Sequence, residues 1–208
     1  MSKKIIAIIL VVVGLLAIAA GVFLIFNKDG DTKKEDATKQ QGDSIMNKDS
    51  KAIVVYFSAQ NHTRNVAAKI AANVGADIFE IEPVQAYTED DLSWTDSESR
   101  VSREHNDESL QTIELKNTTV PNWDEYDTVY IGYPIWWGGS AWPVDSFVKK
   151  VDFGDKTVIP FCTSHSSGLG TSDTDLKAKA TGGNWQPGHR FSQDATDTEI
   201  KTWTDSLL

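Results

Sequence analysis

The distribution of apolar and polar positions divides the chain into three parts. Ile5 to Phe26 is an unbroken apolar run without charge or proline, and residues 27–50 are almost entirely polar. From Lys51 onward, short apolar stretches return at regular intervals. Lys51–Phe57 (KAIVVYF) is a continuous apolar run between polar flanks, the pattern of a strand buried on both faces. Val66, Ala67, Ile70, Ala71 and Val74 recur at helical spacing, and Gly75 is placed to end that helix. Asp77–Glu82 alternates and predicts a second strand, stopped by Pro83. Thr128–Tyr133 predicts a third, and Thr157–Cys162 a fourth in spite of Pro160. Between these two, Pro143 can open a helix whose apolar face is Val144, Phe147, Val148 and Val151. Further on, Thr174–Ala180 reads as a weak helix and Asn184–Phe191 as holding a last short strand. Thr196-Asp197-Thr198-Glu199 is a capping box ahead of Ile200, Trp203 and Leu207. Residues 84–123 form a long polar stretch with Tyr87, Trp94 and the charged segment Ser99–Asp107. A stretch of that length is a functional excursion or is disordered.

Strands alternating with helical patterns imply βαβ units, a parallel sheet and right-handed crossovers that cover both faces, a three-layer αβα sandwich. Ligands bind such sheets at the carboxyl ends of the strands, where strand order reverses. Three unusual loops all follow strands: Ser58–Thr63, Pro134–Trp142 and Thr163–Gly170. They are expected to meet at one edge.

The apolar run Ile5–Phe26 reaches roughly 33 Å as a helix at ~1.5 Å per residue, enough for a bilayer core of ~30 Å. Ala17-Ile18-Ala19 resembles the cleavage site of a signal peptide. The run continues well past it, through Phe26, and that length favours an uncleaved anchor. The expected organisation is a transmembrane anchor (residues 1–26), a disordered linker (27–50) and one folded domain (51–208). Lys3 and Lys4 before the run argue for a cytoplasmic N-terminus, against which stand Lys28, Lys33, Lys34 and Lys39. The expectation is a single-pass protein of the cell membrane with its domain on the extracytoplasmic side.

Charge and composition narrow the function. Of the 208 residues, the stretch from Lys51 onward carries 13 Lys and Arg against 24 Asp and Glu. That surplus repels phosphate backbones and argues against nucleic-acid binding. The single cysteine, Cys162, excludes an internal disulfide framework and any multi-cysteine metal site. All seven tryptophans lie at or after Trp94.

The first loop offers Ser58, Gln60, Asn61 and Thr63 at a helix N-terminus, where backbone N–H groups and the helix dipole favour an anion, with His62 and Arg64 at hand. An ordinary N-cap by Asn61 or Thr63 explains the same residues without a ligand. No nucleotide P-loop or dinucleotide glycine pattern is present. In the second loop, Pro134-Ile135-Trp136-Trp137-Gly138-Gly139, two adjacent tryptophans cannot both enter one core. At least one reads as a flat platform for a planar ligand, the alternative being a wedge under the following helix. The third loop, Thr163-Ser164-His165-Ser166-Ser167-Gly168, offers hydroxyl and backbone donors. His165 is its candidate for proton transfer, and Cys162 reads as a small core residue. An anion cradle, an aromatic ledge and a polar third wall together suit a phosphate joined to a planar ring, as in flavin mononucleotide.

These stretches resemble the flavodoxin-like family, in its flavodoxin-4 branch: IVVYFSAQNHT, YPIWWGGSAWPVD and VIPFCTSHSSGLG, with YTEDDLSW and SRVSREHND between the first two. The resemblance implies a five-stranded parallel sheet of order 2-1-3-4-5 and non-covalently bound FMN. By motif position, Ser58, Gln60, Asn61, His62 and Thr63 would hold the phosphate. Pro134, Ile135, Trp136, Trp137 and Gly138 would line the isoalloxazine. Thr163, Ser164, His165, Ser166 and Gly168 would close the far side. Gln60 and Asn61 stand where the family's phosphate loop has Thr and Gly, and Asn is a residue that tolerates the left-handed region.

Two function classes follow. The first is a membrane-tethered FMN protein in electron transfer, either a carrier or an NAD(P)H/quinone-type oxidoreductase. Its redox donor and acceptor would be a nicotinamide, a quinone or a redox protein, and the long excursion with Tyr87, Trp94 and His105 would cover the flavin and shape a substrate pocket, which favours an enzyme over a bare carrier. The second, motivated by Gln60 and Asn61, is a flavodoxin-like binding module without FMN or redox activity. A hydrolase is disfavoured by the lack of a Gly-x-Ser-x-Gly elbow.

Overall fold

The structure is a computed structural model that describes residues 50–208. The expected anchor at residues 5–26 and all of the expected linker but Ser50 lie outside the described residues. Among the described residues, no helix is long and apolar enough to cross a membrane.

The chain runs β1 (Ala52–Tyr56), α1 (His62–Val74), β2 (Asp77–Glu80), α2 (Arg100–Asn106), β3 (Thr128–Trp136), β4 (Gly139–Ser140), α3 (Trp142–Val148), β5 (Thr157–Ser164), α4 (Ser172–Lys179), β6 (Asn184–Trp185), β7 (His189–Ser192) and α5 (Asp197–Asp205). Short 3-10 turns at Glu108–Gln111 and Trp123–Glu125 complete the excursion between β2 and β3. The sheet order is β2-β1-β3-β5-β6, with β7 also on β5 and β4 on β3. Every pairing is parallel except the β3–β4 hairpin.

The sheet therefore has seven strands, not the five expected, and two local causes account for the difference. β3 runs two residues past its last pairing with β5, at Pro134, and folds back, pairing Ile135 with Ser140 and Trp136 with Gly139. The outermost position is shared by β6 and β7, because Pro187 has no N–H to give and the Gly188 N–H goes instead to the Asp173 carboxylate at 2.8 Å. This break also explains how Pro160 sits inside a central strand. The carbonyls of Lys156, just before β5, and of Val158 within it face β6, accepting from Asn184 and Gln186 at 2.8 Å each. By the two-residue alternation of a strand, the missing N–H of Pro160 faces the same side, between the end of β6 and the start of β7.

Alternate residues of each strand feed two cores. On one face Val54, Tyr130, Ile159 and Phe161 meet Val66, Ala67 and Ile70 of α1 and Ile200 of α5. On the other, Ile53, Val55, Val129, Ile131 and Val158 meet Val144, Phe147 and Val148 of α3 and Leu176 of α4. Val101, Ile113 and Leu115 of the excursion join this second core. The long polar stretch is thus folded onto the sheet. Gly75 ends α1 at φ 68°, and the capping box at Thr196 opens α5, both as the pattern predicts.

At Gly132 the two central strands approach so closely that an added Cβ would lie 2.2 Å from the Phe161 ring. Gly132→Ala is expected to lower stability by about 1–3 kcal/mol, as overpacking of a filled core does. Gly139→Ala, whose Cβ meets nothing nearer than 3.8 Å, serves as the neutral comparison. Urea unfolding of the two variants checks this.

A second expectation concerns pH. His189 lies between the stacked Trp203 ring at 5.2 Å and the edge of Phe191 at 4.6 Å. Burial there holds its pKa below the ordinary 6.5. The unfolded chain then takes up a proton that the folded one resists. The stability from a neutral His189 is complete above pH 6.5 and is lost as the pH falls through the depressed folded value. The stability difference between wild type and His189→Phe should fall as the pH drops below 6.5, measured by unfolding at a series of pH values.

Candidate functional site

Parallel pairing of β1, β3 and β5 places their carboxyl ends side by side, and the three loops that follow enclose a cavity of about 570 Å³. Ser58, Gln60, His62 and Thr63 line it from the first loop. Pro134, Ile135, Trp136 and Trp137 line it from the second, and Thr163, Ser164, His165 and Ser166 from the third. Of the candidate residues, Asn61, Gly138 and Gly168 lie outside the lining. Ala59 and Ser167, which stand inside the quoted motifs without an assigned role, also line it, as does Trp94, which was expected with Tyr87 and His105 to cover the site; Gln193, Leu92 and Val101 were not anticipated. Trp94 carried a signal, as an indole in a polar segment. Leu92 and Val101 did not, because only the fold of the excursion brings them here.

The first loop turns on Asn61, which adopts φ 67° and caps α1 without a side-chain bond to its backbone. Its amide oxygen instead accepts from Arg64 at 2.5 Å. Arg64 also bonds Glu80 and the Tyr56 hydroxyl, so it faces β2 and leaves the cavity, contrary to the role weighed for it. Among the described residues, the backbone N–H groups of Ser58, Ala59, Gln60, His62 and Thr63 have no hydrogen-bond partner. They are open donors at the N-terminus of a 13-residue helix. Thr63 and Thr163 share a buried hydrogen bond of 2.8 Å that ties the first loop to the third.

The second loop is strained and heavily packed. Trp137 has φ 46°, a rare value for a bulky residue, and Gly138 follows at φ 82°. Trp137 stacks with His105 (4.4 Å between centroids, 12°) and with Trp142 (5.9 Å, 20°). Trp136 makes edge contacts with Phe57, Tyr87 and Trp142 at 5.7, 5.1 and 5.2 Å. Both tryptophans are therefore braced by protein rings while each still lines the cavity. Beneath them, buried Asp145 accepts from Ser140 and from Lys179, the latter at 2.6 Å, joining the hairpin to α3 and α4.

Arg190 of β7 holds the third loop. Its guanidinium donates to the Ser164 hydroxyl (2.9 Å), the Ser164 carbonyl (2.8 Å) and the His165 carbonyl (3.3 Å). Ser164 in turn donates to the Ser167 carbonyl. Cys162 just before the loop is fully buried, and burial pushes its thiol up to about 12. It stays protonated and is a packing residue.

The excursion is fastened beside the site by a buried ionic group. Glu104 accepts from Arg100 and from the Tyr87 hydroxyl, both at 2.7 Å, and the Arg100 guanidinium lies 3.9 Å from the Tyr87 ring centre. Burial first, then the bond to Glu104, raises the Tyr87 phenol well above its ordinary value, so it remains a donor.

The cavity wall carries no Lys, Arg, Asp or Glu. It is polar at the α1 end and aromatic toward Trp94, Trp136 and Trp137. That is a site for a ligand with an anionic group and a planar ring, the anion received by open backbone donors and hydroxyls.

The fold and this cavity define a three-layer α/β protein of the flavodoxin-like class. The family model described as Flavodoxin, of the flavodoxin-4 branch, matches residues 51–207, and the chain belongs to that family. A protein of Bacteroides eggerthii assigned as a flavoprotein is 38% identical, with a TM-score of 0.68 over 76% of this chain and 98% of the other. A counterpart from Bacteroides uniformis is 37% identical, with a TM-score of 0.69 over 75% and 98%. A Lactobacillus acidophilus flavoprotein solved in complex with FMN is 21% identical, with a TM-score of 0.55 over 74% and 99%, and shares the fold. No curated protein matches.

The Thr63–Thr163 bond gives a direct test of how the loops are joined. Thr163→Val alone leaves the buried Thr63 hydroxyl without its partner and should cost about 1–3 kcal/mol. Thr63→Val with Thr163→Val together should cost less than the sum of the two single changes, the mark of direct coupling. Urea unfolding of the protein without added ligand supplies all four corners of the cycle.

Proposed function

We propose that the chain is an FMN-binding protein of electron transfer, tethered to the cell membrane by residues 5–26 with its domain on the extracytoplasmic side. The observation that carries the FMN reading is the two-ended cavity. Its cradle of open N–H groups and hydroxyls suits the phosphate, and its indole wall suits the isoalloxazine. The turn at Asn61 supports this, because the substitution of Gln60-Asn61 for the family's Thr-Gly leaves the left-handed step intact at φ 67°.

In this reading Ser58, Gln60, His62 and Thr63 bind the phosphate, with Asn61 shaping the turn. Trp136 and Trp137 bound the ring, with Gly138 supplying the φ 82° step after them. Thr163, Ser164, His165 and Ser166 close the far side, with Gly168 in the loop behind. The bound FMN supplies one- and two-electron redox chemistry, and the protein supplies binding, orientation and electrostatics. The chain's own contribution is a neutral wall within a strongly acidic domain, which disfavours added negative charge on the ring and should lower its reduction potential. Donor and acceptor belong to the classes already named: a nicotinamide, a quinone or a redox protein.

The test is a titration of the full chain, purified in detergent, with FMN while flavin absorbance and tryptophan fluorescence are followed. Saturable binding that quenches both flavin and tryptophan emission is the expected result. A chain that ignores excess FMN would sink the reading and leave the FMN-free binding module in its place. Addition of NADH or NADPH to the loaded protein then separates the two kinds of redox protein: an enzyme bleaches the flavin, a carrier does not.

A further inference from the structure

Trp136 and Trp137 are expected to supply the flat surface of this site, yet both are already braced by protein rings. Of the two exposed indoles that line the cavity, Trp137 is 43% exposed and stacked with His105 and Trp142, which leaves Trp94 as the unstacked one. It is 72% exposed, and no other aromatic ring contacts it among the described residues. An exposed indole on a floppy loop would mean little. Trp94 is instead mounted on a fixed backbone. Its N–H donates to the Leu92 carbonyl at 2.8 Å, and its own carbonyl accepts from the Ser102 hydroxyl at 3.4 Å. The Val101 N–H bonds the Asp91 carbonyl at 3.0 Å, closing the turn onto α2. Those bonds set where the ring stands, so a partner that meets it orders less of the loop.

The charges around it decide what that partner is. Residues 89–98 carry Glu89, Asp90, Asp91, Asp96 and Glu98 and no Lys or Arg. The two cations next in line are engaged: Arg100 by Glu104 and the Gln85 carbonyl, Arg103 by the Glu98 carbonyl. The wall adds no Lys or Arg, only His62 and His165 on the first and third loops, so a carboxylate, sulfonate or pyrophosphate entering at Trp94 meets an excess of negative charge. An uncharged planar ring meets an indole, Leu92 and Val101.

We propose that Trp94, with Leu92 and Val101, forms a second subsite of the cavity that binds an uncharged planar ring of the quinone type and rejects its anionic analogues. The inference rests on the FMN reading, in which the rest of the cavity belongs to the cofactor, and it identifies the acceptor class by charge. A nicotinamide dinucleotide, with its pyrophosphate, is not a ligand of this subsite.

The test uses the full chain in detergent, loaded with FMN. 2-(Hydroxymethyl)anthraquinone and anthraquinone-2-sulfonate share a ring system and differ in charge. Each is titrated against wild type, Trp94→Ala and Trp94→Phe by quenching of tryptophan fluorescence, all in one detergent so that partitioning cancels. The neutral ring should bind wild type at least tenfold more tightly than the sulfonate. Trp94→Ala should lose at least fivefold of that affinity and Trp94→Phe should keep most of it. FMN occupancy, read from flavin absorbance, is matched across all three before each titration. Equal binding of the neutral ring by wild type and Trp94→Ala, or preference for the sulfonate, overturns the inference and leaves the FMN reading standing. A wild-type chain that takes no FMN overturns both, and the flavin absorbance of the loaded sample distinguishes the two failures at the outset.

Discussion

Parallel pairing of β1, β3 and β5 is the constraint on which the rest of the domain depends. Three adjacent strands running the same way must release their chains at the same edge, so three loops are forced to share one small volume. The register is continuous, from Ala52 opposite Thr128 to Pro134 opposite Thr163. That register brings Thr63, at the first turn of the helix after β1, within 2.8 Å of Thr163 at the end of β5. It also leaves the first turn of α1 with its N–H groups aimed where no other backbone can reach. The cradle is a by-product of topology, and the short polar side chains around it keep that volume open.

The second loop shows the opposite balance. A bulky residue at φ 46° is costly, of order 1–3 kcal/mol. It persists because neighbours over-determine it. His105 and Trp142 stack on the Trp137 ring, and the hairpin beneath is tied through Ser140 to Asp145 and so to Lys179. Asp145 is nearly inaccessible, and a buried ion pair of this kind contributes little net stability. Its effect is positional, since removing Lys179 would leave the Asp145 carboxylate buried without its cation, whereas Lys179 is itself partly exposed. The Glu104, Arg100 and Tyr87 group does the same for the excursion. In both places buried charge fixes geometry beside the cavity while none enters the cavity wall.

The central architecture was legible in the sequence because it rests on local rules. Continuous apolar runs marked β1, β3 and β5, helical spacing and a glycine marked α1, and a capping box marked α5. Strand-following loops pointed to the cavity, and twelve of its lining residues were named from motifs alone. What escaped was whatever depends on distant pairing. Arg190 looked like any strand cation, and only the β5–β7 register sets it against Ser164 and His165. Arg64 stood beside the phosphate loop in sequence but is drawn away by Glu80 across the β1–β2 pairing. The split of the outer strand turned on Pro187 and an Asp173 carboxylate fourteen positions earlier. The excursion gave no apolar period to read, because it is pinned by buried charge and scattered apolar contacts rather than by an amphipathic face.

The same distinction bears on how the tryptophans divide their work. Two adjacent indoles in a glycine loop look like a ligand platform when read in isolation. In the folded domain they carry load: Trp136 fills the gap between Phe57, Tyr87 and Trp142, and Trp137 completes a stack of rings that steadies a strained turn. A ring held on its faces and edges is a good wall and a poor movable lid. The ring left unstacked at the cavity is Trp94, which the excursion supplies and on which the proposed second subsite rests. An insertion of this kind can change what the site admits without disturbing the sheet, since its anchors reach the core at only a few points.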